Sequence, residues 1–166
     1  MKAVLERRSI RKYTDEKISP EQVQRLLKAA FAAPSAGNRQ SWHFIVVGDR
    51  DTLNKITEVH PNSQMLKEAA LAIVVCGDTS VELYPGYFAQ DCSAATENIL
   101  ITATDMGLGS VWLGVYPRAD RVEDISAIFK LPQGIVPFSI ISLGYPAETK
   151  GPSNRYDESK IHYNKW

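Results

Sequence analysis

The chain has 166 residues, 44% of them apolar and 23% charged, and its 19 basic side chains are balanced by 19 acidic ones. That composition describes one domain, residues 1–166, able to bury about 70% of its unfolded surface without a disulfide or metal staple. Zero net charge excludes a whole-chain electrostatic binder of nucleic acid or membrane surface, and no apolar stretch reaches the ~18 residues of a membrane span.

Local charge is less even. Lys2, Arg7, Arg8, Arg11 and Lys12 face only Glu6 within the first twelve residues, where a short helix is predicted over Lys2–Arg8. Ser19-Pro20-Glu21-Gln22 then offers an N-cap, a proline at N1 and a capping-box glutamine, followed by Val23, Leu26, Leu27, Ala30 and Phe31 at helical spacing. His43–Gly48 and Leu71–Gly77 are short apolar runs ended by glycine, as expected of buried strands, with helices predicted over 49–58 and 62–70 between them.

Residues 89–106 lack Gly and Pro and are apolar or small around most of the circumference, so a helix buried on nearly all sides is predicted, with Gly107 at its C-terminal end. Strands at Ser110–Tyr116 and Phe138–Leu143 flank a helix that Asp120-Arg121-Val122-Glu123 is predicted to start as a second capping box. The order ααβααβαβαβ, with long helices and few strands, favours a mixed sheet covered by helices rather than a regular βαβ repeat. The tail, 147–166, carries Tyr156, Ile161, Tyr163 and Trp166, too apolar a load for a solvated terminus, and is expected to dock on its own or a partner subunit. Cys76 and Cys92 read as small buried hydrophobes in a reducing cytosol, and with no basic-then-apolar leader the chain is expected to be cytoplasmic.

Familiar catalytic templates are absent. There is no G-x-G-x-x-G, phosphate-binding lysine loop, H-E-x-x-H or C-x-x-C, and Ser35 lacks the G-x-S-x-G elbow. His43, His60 and His162 are scattered, so no metal site is expected, and His43 reads as a satisfied core residue. Any enzyme built on this chain leaves the hard chemistry to something bound. Arg7-Arg8-Ser9-Ile10-Arg11 offers guanidinium forks and a hydroxyl able to hold a phosphate, although arginines at a helix C-terminus can equally be solvated partners of the dipole.

Four segments carry a resemblance to a known family. They are Arg7-Arg8-Ser9-Ile10-Arg11-Lys12-Tyr13, Ala33-Pro34-Ser35-Ala36-Gly37-Asn38-Arg39-Gln40-Ser41-Trp42-His43-Phe44, Gly107-Leu108-Gly109-Ser110-Val111-Trp112-Leu113-Gly114, and Leu143-Gly144-Tyr145-Pro146 followed by Arg155. In order and spacing the chain resembles the FMN-dependent nitroreductase-like oxidoreductases. The resemblance implies an α+β fold with a mixed, mainly antiparallel sheet flanked by helices, an interlocked homodimer with FMN at the interface, NAD(P)H as a transient reductant, and an electron-poor small-molecule acceptor such as a nitroarene, quinone or flavin. It places Arg7, Arg8, Ser9, Arg11 and Arg155 at the flavin phosphate, Pro34, Ser35, Asn38 and Gln40 of one subunit over the partner's flavin, and Trp112, Leu113 and Gly114 along the flavin edge. The Gly114 amide is then the candidate donor to flavin N5, and no side chain is assigned as catalytic. Gln64 stands near flavin N1, where many relatives have lysine, which implies a lower redox potential. Tyr84, Tyr87 and Phe88 are candidates to roof the ring or to pack in the core. Dehalogenation, flavin fragmentation and a non-turnover FMN carrier or sensor remain open on the same scaffold.

Overall fold

The computed structural model describes residues 2–166. A four-stranded sheet is built from β1 (Trp42–Val47), β2 (Leu71–Asp78), β3 (Gly109–Gly114) and β4 (Ile135–Gly144) in the order β1-β2-β4-β3, every neighbouring pair antiparallel. The only parallel pairing among the described residues is the isolated bridge of Ser9 to Ser110, which lays the N-terminal segment along the outer edge of β3. The helices are α1 (Lys2–Glu6), α2 (Pro20–Phe31), α3 (Arg50–Val59), α4 (Phe88–Asp105) and α5 (Ala119–Phe129).

The central strands are apolar because helices cover both faces. Leu71, Ile73 and Val75 of β2 pack with Leu26 of α2 and Ile99 of α4 on one face. Ala72, Val74 and Cys76 pack with Leu53 and Ile56 of α3 and Ile125 of α5 on the other. That is the period-2 alternation of a strand with two buried faces. Opposite Val75 and Cys76 the register slips by one residue, leaving Phe138 of β4 as the extra residue of a bulge.

Local signals explain the helix ends. Ser19 Oγ accepts from Gln22 N at 3.2 Å while Gln22 Oε1 accepts from Ser19 N at 2.9 Å, completing the predicted capping box. Gly107, at φ +73°, ends α4 in a Schellman motif, with Leu108 N donating to Ala103 O and Gly107 N to Thr104 O. The capping box predicted at Asp120 does not form: α5 begins at Ala119, so Asp120 lies inside the first turn and both its oxygens accept from Arg118. The helix predicted over 62–70 shrinks to a 3-10 turn, Gln64–Lys67. A stripe of α4 from Phe88 to Ala103 is buried, but its opposite side is only half-covered by this chain, against the expectation of burial all round.

The tail docks on its own chain as far as Gly151, whose carbonyl accepts from Arg8 Nε at 2.7 Å, while Lys150 Nζ donates to Ser9 O at 2.6 Å and Ala147 N to Lys12 O. Beyond it, Tyr156, Tyr163 and Trp166 are 81%, 80% and 99% exposed. The chain exposes 9736 Å², against about 8,200 Å² expected of a compact monomer of this mass. Among the described residues, no helix is long and apolar enough to cross a membrane, and no cluster of three metal-ligating side chains occurs.

Candidate active site

β3 is an edge strand, and the alternation of its ladder decides what it offers outward. Val115 N donates to Phe138 O, so in this register Leu113 with Ile140 and Val115 with Phe138 are hydrogen-bonded pairs, whereas Gly114 with Ser139 and Trp112 with Ile141 are not. The N–H and C=O groups of Trp112 and Gly114 therefore point away from β4, as those of Ser110 do, whose carbonyl accepts from Ile10 N at 3.0 Å. Against this open edge lies a cavity of about 450 Å³.

Five residues singled out from the sequence line it together: Arg11, Gln64, Trp112, Leu113 and Gly114. His60, Pro61, Asn62, Met65 and Arg121 complete the wall. The lining holds two guanidinium groups and no carboxylate, and among the described residues no acid pairs with Arg11 or Arg121. A Cβ added at Gly114 would meet nothing within 4 Å, so the glycine leaves open space on the cavity side that the fold itself does not need. Gln64 Nε2 donates to the Thr57 carbonyl of α3 at 3.1 Å.

The remaining predicted residues lie elsewhere. Arg7 is inward and paired with Glu97 of α4 at 3.2 Å. Arg8 and Arg155 share a second cavity of about 340 Å³ with Leu5 and Pro152–Tyr156. Ser9 is tied by its backbone to Ser110 and Lys150. Pro34 and Ser35 line a third cavity, of about 320 Å³, with Tyr87 and Asp91, and Asn38 and Gln40 are exposed. Their loop is unusual: Gly37, Asn38 and Gln40 all have φ between +51° and +56°, a conformation that costs non-glycine residues and clusters at functional sites. Gln40 N donates to Ser35 Oγ and Gln40 Nε2 to Asn38 Oδ1, holding that shape.

Three residues escaped the sequence reading. Asp91, buried in the first turn of α4, accepts from Ala36 N and Ser41 Oγ, both at 2.9 Å, and so anchors the 34–40 loop from behind. His60 is only 1% exposed and its Nε2 lies 3.0 Å from Gly114 O; a carbonyl only accepts, so Nε2 carries the proton. Burial, reinforced by the nearby Arg121 charge, pushes the His60 pKa below its usual value, although the Gly114 bond opposes the shift. Arg121 Nη1 donates to the same oxygen at 2.8 Å. The signal that was available for Asp91 was a lone acid on the buried stripe of α4. By contrast His43, expected in the core, is exposed beside Asp78 at 3.8 Å. Phe88 is core, against Gly77 and Tyr116, while the Tyr84 and Tyr87 rings meet at a tilt at the surface; none of the three lines the Gly114 cavity.

An α+β sheet with an edge cavity lined by outward backbone donors and two guanidinium groups defines the class of proteins that hold an anionic small molecule at a sheet edge. The family follows from comparison: the model of the nitroreductase family matches residues 4–74 and 57–145, and the chain belongs to that family. It is 50% identical, over its full length and 87% of the relative, to a Methanothermobacter thermautotrophicus protein named "Putative NADH dehydrogenase/NAD(P)H nitroreductase". A Parabacteroides distasonis crystal structure of the same description superposes with a TM-score of 0.95 at 43% identity, covering 99% of this chain and 97% of that one. The FMN-dependent nitroreductase of Clostridium difficile R20291 superposes at 0.93 with 34% identity, each chain covered in full.

Proposed function

We propose that the protein is an NAD(P)H-dependent FMN oxidoreductase, working as a homodimer, that reduces an electron-poor acceptor such as a nitroarene, a quinone or a flavin. The observation that carries this reading is the cavity on the open edge of β3, where outward backbone donors meet two unpaired guanidinium groups and no acid. That chemistry fits FMN. Its volume lies in the range of small-molecule sites, the open space at Gly114 admits a flat group close to the backbone, and the donors suit an electron-rich ring edge. The names of the relatives support the same cofactor and reductant. FMN, when bound, supplies the chemistry by relaying a hydride from NAD(P)H to the acceptor.

The chain's own residues do the rest. The Gly114 and Trp112 N–H groups present donors fixed by the ladder, so they need no reorganisation when charge develops beside them. Trp112, stacked edge-on against Phe138 at 5.7 Å, and Met65 provide apolar wall that excludes water. Arg11 supplies positive charge, and Arg8 with Arg155 forms a separate basic pair suited to a phosphate. No side chain in the cavity is placed to act as a general acid: the lining has no carboxylate, and His60 holds its proton on Nε2 against Gly114 O. Protons for an acceptor come from water.

Pro34, Ser35, Asn38 and Gln40 fit the scheme as a contribution to the partner's site. Their loop is rigid and exposed, yet it borders a different cavity from Gly114. The exposed tail aromatics are apolar surface for a second copy, and the half-covered side of α4 offers it a mixed face of small and polar residues such as Ala94, Asn98 and Ile101. Cys76 and Cys92, both free and buried with their thiol pKa values pushed up by burial, suit a reducing compartment, and we place the protein in the cytoplasm.

The test is the visible spectrum of the protein as purified. Flavin bands that bleach anaerobically with NADH or NADPH and return with a nitroarene or quinone are expected. Colourless protein that takes up no added FMN would overturn the reading.

A further inference from the structure

Two side chains from different elements converge on one backbone oxygen at the cavity. His60 follows the last turn of α3 and Arg121 sits in the first turn of α5, and both donate to Gly114 O, at 3.0 and 2.8 Å. With both lone pairs of that carbonyl engaged, the Gly114 residue is held with its N–H facing the cavity. Arg121 has more to give. Its Nε is buried and has no hydrogen-bond partner among the described residues, and its neighbour Asp120 directs both carboxylate oxygens to Arg118. A buried, unmatched donor on an unpaired cation is costly to leave unmet, and Arg121 lines the cavity where a ligand would meet it. Gln64, lining the same cavity, has turned its own donor to Thr57 O.

We propose that Arg121 is a positioning and charge-setting residue of this site. Together with His60 it fixes the Gly114 peptide, and its remaining donor and positive charge favour the reduced, more negative form of bound FMN over the oxidised form. The inference rests on the reading of the cavity as a flavin site. It goes beyond that reading by naming where the charge comes from in a chain that has a neutral residue at position 64.

The experiment measures, on the holoprotein, the midpoint potential of bound FMN, the affinity for oxidised FMN, and the thermal midpoint, for wild type, Arg121→Gln and Arg121→Lys. In Arg121→Gln the preference for reduced over oxidised FMN is expected to fall about tenfold, about 30 mV for a two-electron couple, with oxidised-FMN affinity and thermal midpoint much less affected. Arg121→Lys, which keeps the charge, is expected to stay within about threefold of wild type in that preference. An unchanged preference in Arg121→Gln overturns the proposal. So does an equal loss of affinity for both forms with a lowered thermal midpoint, which is what a purely structural arginine gives, and so does a Lys variant that shifts as far as Gln. If wild-type protein binds no FMN, the flavin reading fails rather than this one.

Discussion

The β3 edge and the 34–40 loop are both built to present polar groups, but they differ in what surrounds them. At β3 the donors of Trp112 and Gly114 already face a walled cavity with Arg11 and Arg121 in its lining. At the loop, Asn38 and Gln40 are held in left-handed conformations, anchored from behind by Asp91, and face solvent. Strain kept in place by a buried acid, at a loop tip that faces solvent rather than the β3 cavity, supports the proposal that one copy supplies two half-sites rather than one whole site.

The largest effect is expected from behind the loop. Asp91→Ala leaves Ala36 N–H and the buried Ser41 hydroxyl without acceptors, and is expected to cost about 3 kcal/mol of stability, measured by urea denaturation, and to lower FMN occupancy although Asp91 does not line the β3 cavity. Next in size, Arg11→Ala is expected to weaken FMN binding by roughly 1.5–3 kcal/mol, the scale of a charged hydrogen bond, with the fold retained; fluorescence titration of FMN reads it. Gly114→Pro removes only an outward N–H of an edge strand, which sheets tolerate, so a smaller loss of FMN affinity, about 1 kcal/mol, is expected together with slowed flavin reduction. Gly114→Ala, whose Cβ has open space, serves as the control and should alter folding stability by no more than about 0.5 kcal/mol.

The smallest effect is a pH dependence. The folded-state pKa of His60 lies below its unfolded value, chiefly through burial, so the unfolded chain binds more protons in the window between the two. The stability that neutral His60 contributes is complete above about pH 6.5 and is lost as pH falls through the folded pKa. Thermal midpoints measured from pH 8 to 5 should therefore decline more in wild type than in His60→Asn.

Much of the fold could be read from the chain because its signals are local. Ser19 and Gln22 close on each other over three residues, Gly107 ends α4 by its own φ, and β2 is apolar from Leu71 to Cys76 because both its faces are covered. The misses are where a tertiary partner decided. His43, expected in the core, falls on a strand position that faces out, and His60, given no place by the sequence, packs beneath Gly114; the capping box is a local exception, since Asp120 was taken by Arg118 only two residues before it. The site divides the same way. Its backbone half at Trp112–Gly114 stood in a recognisable motif, whereas His60 reaches Gly114 across 54 residues and Asp91 reaches Ala36 across 55, contacts with no periodicity or spacing to announce them.

That each active site is shared is tested most directly with a mixed dimer. Arg11→Ala disables the cavity half and Asp91→Ala the loop half, so each variant alone should purify depleted of FMN. Dimers assembled with one copy of each, isolated through two different tags, place one intact cavity opposite one intact loop. The expected result is one flavin per mixed dimer, reducible by NAD(P)H. A mixed dimer as empty as its parents would contradict the account, because it would mean that cavity and loop serve within the same chain.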